Sequence, residues 1–279
     1  MTKPEVSQDQ LRRELATSQA QHDASMPAAR EIVDRVIGDE QLDADQRAGL
    51  LLGFNRRNLL RFGGTFVAAG AVLAACGDDD ATPASDATTA TTAGAATTAA
   101  TAMSDTTAAS GGEFTPSPEN DIVLLRTASS LEVLAIAAYQ TAIDSGLVTT
   151  AAVGEAAMLF QAQHQEHAAL FQGATTAAGG EAYTEPNAVV FEALQPTINA
   201  LSDEMGVVQL AYDLEVAAAQ TYQFAVAKVS DGSLNKALMS VGGVEARHAA
   251  ILGAVLAIMI PPAAFQGVDK AVPAAAFVA

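Results

Sequence analysis

The stretch QHQEHAALF, residues 163–171, places His164 and His167 three positions apart in a chain of 279 residues that has four histidines altogether. Residues three apart lie on the same face of an α-helix. If this stretch is helical, both imidazoles therefore point in one direction. The spacing is typical of a helix that contributes two ligands to one metal site.

A second stretch, EARHAAILG at residues 245–253, repeats the ending of the first. It carries Glu245 and His248 at the positions that the two histidines occupy in the first stretch. The same spacing argument applies, so this stretch also directs two ligands to one side of a helix. The repetition predicts two related helices that face a common site.

Apolar residues recur at spacings of three and four through the second half of the chain, which predicts helices rather than strands. Ser117 and Pro118 are typical of a helix start, with serine as the cap and proline in the first turn. We predict four helices, over residues 119–145, 150–178, 197–229 and 233–259. At 1.5 Å per residue they are about 40 to 50 Å long. The fold class is therefore all-α, a four-helix bundle.

The connections between these helices restrict the topology. Short links join the first helix to the second and the third to the fourth, which makes each pair an antiparallel hairpin. A stretch of about 18 residues, GGEAYTEPNAVVFEALQP, connects the second helix to the third. A link of this length can run the height of a bundle. One long crossover distinguishes this arrangement from simple up-down bundles and from bundles with two crossovers.

An internal repeat also relates the first helix to the third. LEVLAIAAYQTA, from Leu131, aligns without gaps with LEVAAAQTYQFA, from Leu214. Glu132 and Glu215 occupy equivalent places within apolar stretches, where a charge is costly unless it is paired or bound to a metal. The chain thus consists of two similar hairpins, each with one glutamate and one pair of ligands spaced by three.

The candidate metal ligands are three glutamates and three histidines from four helices: Glu132, His164, His167, Glu215, Glu245 and His248. Mixed oxygen and nitrogen ligands suit Fe, Mn or Zn better than Mg or Ca. We therefore expect a metal centre in the core of the bundle. Gly242 and Gly243, just before Glu245, predict either a local bulge or a close helix contact.

Residues 119–260 resemble the ferritin-like superfamily, whose di-iron and di-manganese members use one Glu from each of two helices and a Glu-x-x-His from each of the others. The resemblance implies two ions, with Fe or Mn as cofactor. Tyr139 and Tyr222, each seven residues after its glutamate, resemble the tyrosines that hydrogen-bond the ligands in that family.

Two departures from the family pattern stand out. His164 occupies the place of an expected glutamate. The nearby Glu166 does not replace it, because it is rotated about 100° around the helix from His167. One bridging carboxylate is then missing, so a site for one ion remains an alternative to a site for two. The acidic residue expected just before each ligand pair is replaced by Gln163 and Val244, which leaves no evident support for the histidines.

The net charge of −18 and the absence of a basic stripe exclude nucleic acid as a partner. Residues 55–76, NRRNLLRFGGTFVAAGAVLAAC, have an arginine pair, a short apolar run and a cysteine after small residues. This segment resembles a twin-arginine export signal, through Arg56 and Arg57, joined to a lipoprotein cleavage box that ends at Cys76. The resemblance implies export machinery as a partner and a lipid anchor on Cys76, at the outer face of the cytoplasmic membrane in the cell envelope.

The expected organisation has four parts. Residues 1–54 form an extension of unclear role, 55–76 the export signal, 77–118 a disordered tether rich in Ala and Thr, and 119–279 the bundle with a C-terminal tail. A monomer or a homodimer suits a tethered domain better than a cage. Three functions remain open: a redox protein acting on peroxide, oxygen or ferrous iron, a metal-binding bundle without turnover, and a structural envelope bundle.

Overall fold

The computed structural model describes residues 6–34, 114–258 and 267–279. Within these ranges the chain is helical and contains no strand, as the sequence predicts. The elements are α1 (Gln8–Ile32), α2 (Pro118–Asp144), α3 (Ala151–Ala177), α4 (Ala188–Asn199), α5 (Glu204–Val226), α6 (Leu234–Val255) and a 3₁₀ turn at Ala274–Ala276. Arg56, Arg57, Cys76 and most of the predicted tether lie outside the described residues.

Helices α2, α3, α5 and α6 form the expected bundle, with α2 packed along α3 and α5 packed along α6. The predicted start is confirmed, because the Ser117 side chain accepts a hydrogen bond from the Asn120 N–H at 3.2 Å and Pro118 occupies the first turn. Gly146 has a φ of 69°, a left-handed conformation that suits glycine where the chain turns after α2.

The prediction of one continuous helix over residues 197–229 is wrong in its first part, because the helix is interrupted there. Helix α4 ends at Asn199 and α5 begins at Glu204. The Asp203 carboxylate accepts a hydrogen bond from the Gly206 N–H at 2.8 Å and so caps a new helix. The long crossover between α3 and α5 therefore contains a helix of its own, α4, which packs outside the bundle.

Helix α2 is the one helix among the described residues that is long and apolar enough to cross a membrane. Half of its most apolar window is buried inside the protein, and it carries the buried Glu132. Both features are those of a helix in the core of a helical bundle.

A fifth long helix, α1, packs against α3 and α6. It buries Leu11, Leu15, Met26 and Ile32 in the common core. Two ion pairs at its edge join it to α3: Arg12 contacts Glu155 at 2.9 Å, and Arg30 contacts Glu166 at 2.5 Å. These pairs are exposed and contribute little, so burial of apolar side chains holds α1 in place.

The core has two apolar layers with a polar layer between them. One apolar layer includes Phe171 of α3 and Leu238 of α6, and the other includes Phe160 and Leu252 of the same two helices. His164 and His167 lie between the two phenylalanines along α3. The bundle thus surrounds the candidate ligands with apolar side chains on both sides, which excludes water and strengthens their electrostatic interactions.

Candidate metal centre

The structure brings all six candidate ligands together in the polar layer, and each is at most 2% exposed. Two overlapping groups have ligand atoms that all lie within 4.8 Å of one another. The first group is Glu132, His164, His167 and Glu245, and the second is His164, Glu215, Glu245 and His248. His164 and Glu245 belong to both groups, so the six residues form one centre with two overlapping positions for an ion.

His164 lies between the two glutamates of the repeat. Its Nδ1 is 2.7 Å from Oε2 of Glu132, and its Nε2 is 3.1 Å from Oε1 of Glu215. An imidazole that contacts a carboxylate through each nitrogen stands where a carboxylate is expected to bridge two ions. His164, which belongs to α3, therefore connects α2 and α5 through hydrogen bonds to their glutamates.

Glu245 lies between the other two histidines. One of its oxygens is 2.8 Å from Nδ1 of His167, and the other is 3.0 Å from Nδ1 of His248. Neither oxygen has a hydrogen-bond partner of acceptable geometry among the described residues. A fully buried carboxylate that faces two imidazoles in this way is well placed to bind a cation, which would replace the protons of those imidazoles.

The two tyrosines connect the hairpins reciprocally. Tyr139 of α2 donates a hydrogen bond to Oε1 of Glu215 on α5 at 2.5 Å. Tyr222 of α5 donates to Oε1 of Glu132 on α2. Each hydroxyl thus fixes the glutamate of the opposite hairpin rather than the one on its own helix. Both tyrosines are buried, and burial first, then the nearby carboxylates, raises their pKa well above the ordinary value of 10.

Gln163 supplies the support for His248 that the sequence analysis did not find. The Gln163 Oε1 atom lies 2.6 Å from Nε2 of His248, so this nitrogen donates the hydrogen bond and carries the proton. In the metal-free protein Nδ1 also carries a proton, which it directs toward Glu215 and Glu245, and a bound ion would take the place of that proton. The Gln163 amide is in turn held by Gln19 of α1, at 2.9 Å. The feature of the sequence that could have predicted this support is the polar Gln163 directly before the ligand pair.

Charges within the centre compensate one another. Burial would raise the pKa of Glu132, but His164 and His167 outweigh it and lower that pKa from 4.5 to about 2. Burial would lower the pKa of His167, but Glu245 and Glu132 raise it from 6.5 to about 9. By the same balance the pKa of Glu215 is lowered well below its ordinary value and that of His164 is raised well above it.

This donor set fits a transition-metal ion. Three carboxylates and three imidazoles are oxygen and nitrogen ligands of the kind that Fe, Mn and Zn accept. In the metal-free protein the imidazoles share protons with the carboxylates, and a metal would replace those protons. The number of ions is left open by the geometry.

Other nearby residues take no part in the centre. Glu166, one position before His167, is half-exposed and bonded to Arg30. Gly242 serves close helix contact rather than a bulge, since a Cβ placed there would lie 2.9 Å from the Cβ of Tyr222. At the neighbouring Gly243 the same Cβ would meet nothing within 4 Å.

An apolar cavity of about 240 Å³ lies between α2, α4 and α5. Tyr139 forms part of its wall, along with Leu194, Leu210 and Leu214. The hydroxyl of Tyr139 bonds Glu215, so this side chain contacts both the cavity and the candidate metal centre.

The fold and the centre together define a helical bundle with a buried Glu/His site. Residues 120–257 match the family model of the ferritin-like domain. This part of the chain belongs to the ferritin-like superfamily, as the sequence resemblance indicates. Comparison with curated proteins and with solved structures found no match.

Proposed function

We propose that the protein binds Fe or Mn at the Glu/His centre and acts as a redox or metal-handling protein. The observation that carries the proposal is Glu245, a fully buried carboxylate whose oxygens face two imidazoles and receive no well-formed hydrogen bond from the described residues. The other carboxylates complete a donor set suited to these metals.

The side chains around the ligands prepare the site for an ion. Tyr139 and Tyr222 hold the glutamates by hydrogen bonds, and Gln163 fixes the proton of His248 on Nε2 so that Nδ1 is free to bind. The apolar layers exclude bulk water from the centre. A bound Fe or Mn ion would supply one-electron redox chemistry with peroxide, oxygen or ferrous iron.

The apolar cavity supports oxygen among these reactants. Its lining is mostly aliphatic, and its wall includes Tyr139, which donates a hydrogen bond to Glu215. A small apolar molecule partitions into such a space, whereas ferrous iron does not. Peroxide is polar and therefore partitions less readily into this cavity.

We further propose that the domain is exported and anchored in the cell envelope, on the pattern of Arg56, Arg57 and Cys76. Fatty-acid labelling of cells that express the wild type and Cys76→Ser tests the anchor. Label in the wild type alone supports it, and label in neither protein contradicts it.

Elemental analysis of the full chain, purified from cells grown with iron and manganese, tests the metal proposal. We expect one or two ions of Fe or Mn per chain. A protein without metal that also fails to take up Fe(II) or Mn(II) in titration would refute it. Oxygen and peroxide consumption by the loaded protein then separates redox turnover from binding alone.

A binding or structural protein without turnover is the second candidate. His164 already joins Glu132 and Glu215 at 2.7 and 3.1 Å. The centre can therefore neutralise its charges through protons alone. Metal binding without consumption of oxygen or peroxide would favour a binding protein, and the absence of metal would favour a structural one.

A further inference from the structure

Helix α1 lies outside the ferritin-like domain but reaches its metal centre. Leu11 and Leu15 belong to one apolar layer of the core, and Met26 and Ile32 to the other. The middle of α1, around residues 18–22, is therefore level with the polar layer. Gln19 and His22 are three residues apart and share a helix face.

The two hairpins differ in how they support their histidines. In α3, Gln163 precedes the ligand pair and accepts a hydrogen bond from Nε2 of His248 on α6. The equivalent position on α6 is Val244, which has no polar side chain. Nε2 of His167 has no hydrogen-bond partner among the described residues. The repeat thus leaves one ligand without the contact that its counterpart has.

The ring of His22 lies next to that of His167. Its ring is 0% exposed, and its centroid is 5.3 Å from that of His167, with the rings tilted by 42°. Two imidazoles joined by an N–H···N bond of about 2.9 Å have centroids roughly 5 Å apart, and the observed separation of 5.3 Å is close to that value. Neither nitrogen of His22 has another hydrogen-bond partner among the described residues.

Asp23 offers an acceptor near Nδ1 of His22. Its Oδ1 lies 3.7 Å from Nδ1 of His22, and Gln19 holds the same oxygen at 2.6 Å. A proton on Nδ1 would leave Nε2 of His22 as an acceptor. His22 can therefore accept the Nε2 proton of His167 while His167 offers Nδ1 to the centre.

We propose that α1 is a supporting helix of the metal centre, in which His22 positions His167 by accepting its Nε2 proton and Gln19 positions Gln163 for His248. This inference rests on the proposed metal site. His22 is a positioning residue and does not bind the ion. Both supports precede Cys76 and therefore act only in the full chain, because the cleavage that lipid anchoring at Cys76 requires would remove them.

The test uses the full chain, with Mn(II) titration for affinity and the visible spectrum of added Co(II) for ligand geometry. His22→Leu keeps the volume and removes the acceptor, and we expect Mn(II) affinity to fall about 10- to 100-fold, as is typical when the partner of a ligating histidine is lost. The Co(II) spectrum should shift. His22→Gln restores an acceptor of the kind that Gln163 provides and should recover most of the affinity.

Controls separate positioning from folding. Ser18→Ala changes a buried α1 residue whose hydroxyl has no partner among the described residues, and it should leave affinity unchanged. The metal-free His22→Leu protein should melt no lower than the wild type, because an unpaired buried imidazole is removed. Should His22→Leu not fold, Gln19→Leu tests the other support, with an expected loss of about tenfold.

Three results would overturn the inference. The first is wild-type affinity in His22→Leu, or in Gln19→Leu where that variant replaces it. The second is equal weakness of folded His22→Gln and His22→Leu, since acceptor chemistry would then be irrelevant. A wild-type chain that binds no Mn(II) or Co(II) would instead refute the proposed metal site itself, and the inference with it.

Discussion

The two helical hairpins, α2 with α3 and α5 with α6, share a frame but differ in two of the side chains that form the Glu/His centre. Each has a glutamate on its first helix, a tyrosine seven residues later and a histidine on its second helix. The first hairpin has Gln163 and His164 where the second has Val244 and Glu245. The frame is therefore symmetric, and the chemistry within it is not.

This difference shows how one centre can combine two kinds of support. His164 replaces a carboxylate and links Glu132 to Glu215, while Glu245 remains a carboxylate that faces two imidazoles. Three acidic and three basic groups then balance without metal. A fully symmetric centre would have four carboxylates and two imidazoles, and its metal-free form would carry excess negative charge.

The largest expected effect comes from removing the ligand pair of the second hairpin. Glu245→Ala with His248→Ala should lower metal affinity by more than about 100-fold, beyond the loss typical of supporting residues. Helix content by circular dichroism should stay largely intact. Glu166→Ala, a half-exposed change beside His167, is the control and should keep its metal. Equal metal content in the double variant would show that these residues are not ligands.

Making the hairpins alike is the second way to test the comparison. His164→Glu introduces a fourth carboxylate and removes an imidazole, so the metal-free protein should lose about 3–5 kcal/mol of unfolding free energy in urea. The loaded protein should bind two ions by elemental analysis. Unchanged stability in chelator together with one ion or none would mean that His164 does not govern the balance of charge.

The pH dependence of the metal-free protein follows from the same balance. The folded pKa of His167 is about 9 against 6.5, so its contribution is complete below pH 6.5 and is lost as pH rises through 9. The folded pKa of Glu132 is about 2 against 4.5, so its contribution is complete above pH 4.5 and is lost as pH falls through 2.

Melting temperatures in chelator should therefore be highest between about pH 4.5 and 6.5 and should fall toward pH 9. Metal affinity should rise over the same alkaline range, because ligands must lose their protons. A melting temperature that stays level from pH 6 to 9 in chelator would contradict the assigned ion pairs of His167.

The smallest expected effect concerns the glycines of the second hairpin. Gly242→Ala would place a Cβ 2.9 Å from that of Tyr222 and should cost about 1–3 kcal/mol of unfolding free energy, as overpacking does. Gly243→Ala meets nothing within 4 Å and should stabilise α6 by up to about 1 kcal/mol. Urea unfolding of the two variants measures the difference, and equal effects would contradict close packing at Tyr222.

Sequence periodicity was sufficient to predict most of the bundle. Helix spacing, the cap at Ser117 and the hairpin repeat all depend on residues close together in the chain. The ferritin-like family was indicated by the resemblance of the Glu and His ligand pattern to that of the family. The division of the third predicted helix was missed, because the cap at Asp203 is a single residue within an otherwise helical pattern.

The sequence by itself determined which residues can bind metal and on which helix face each lies, because both follow from residue type and local spacing. Only the tertiary structure decided their partners. Tyr139 reaches Glu215 across 76 positions, His248 reaches Gln163 across 85, and Gln163 reaches Gln19 across 144. Such contacts depend on how helices pack against one another, and that packing brought α1, which the sequence left without a function, to the edge of the Glu/His centre.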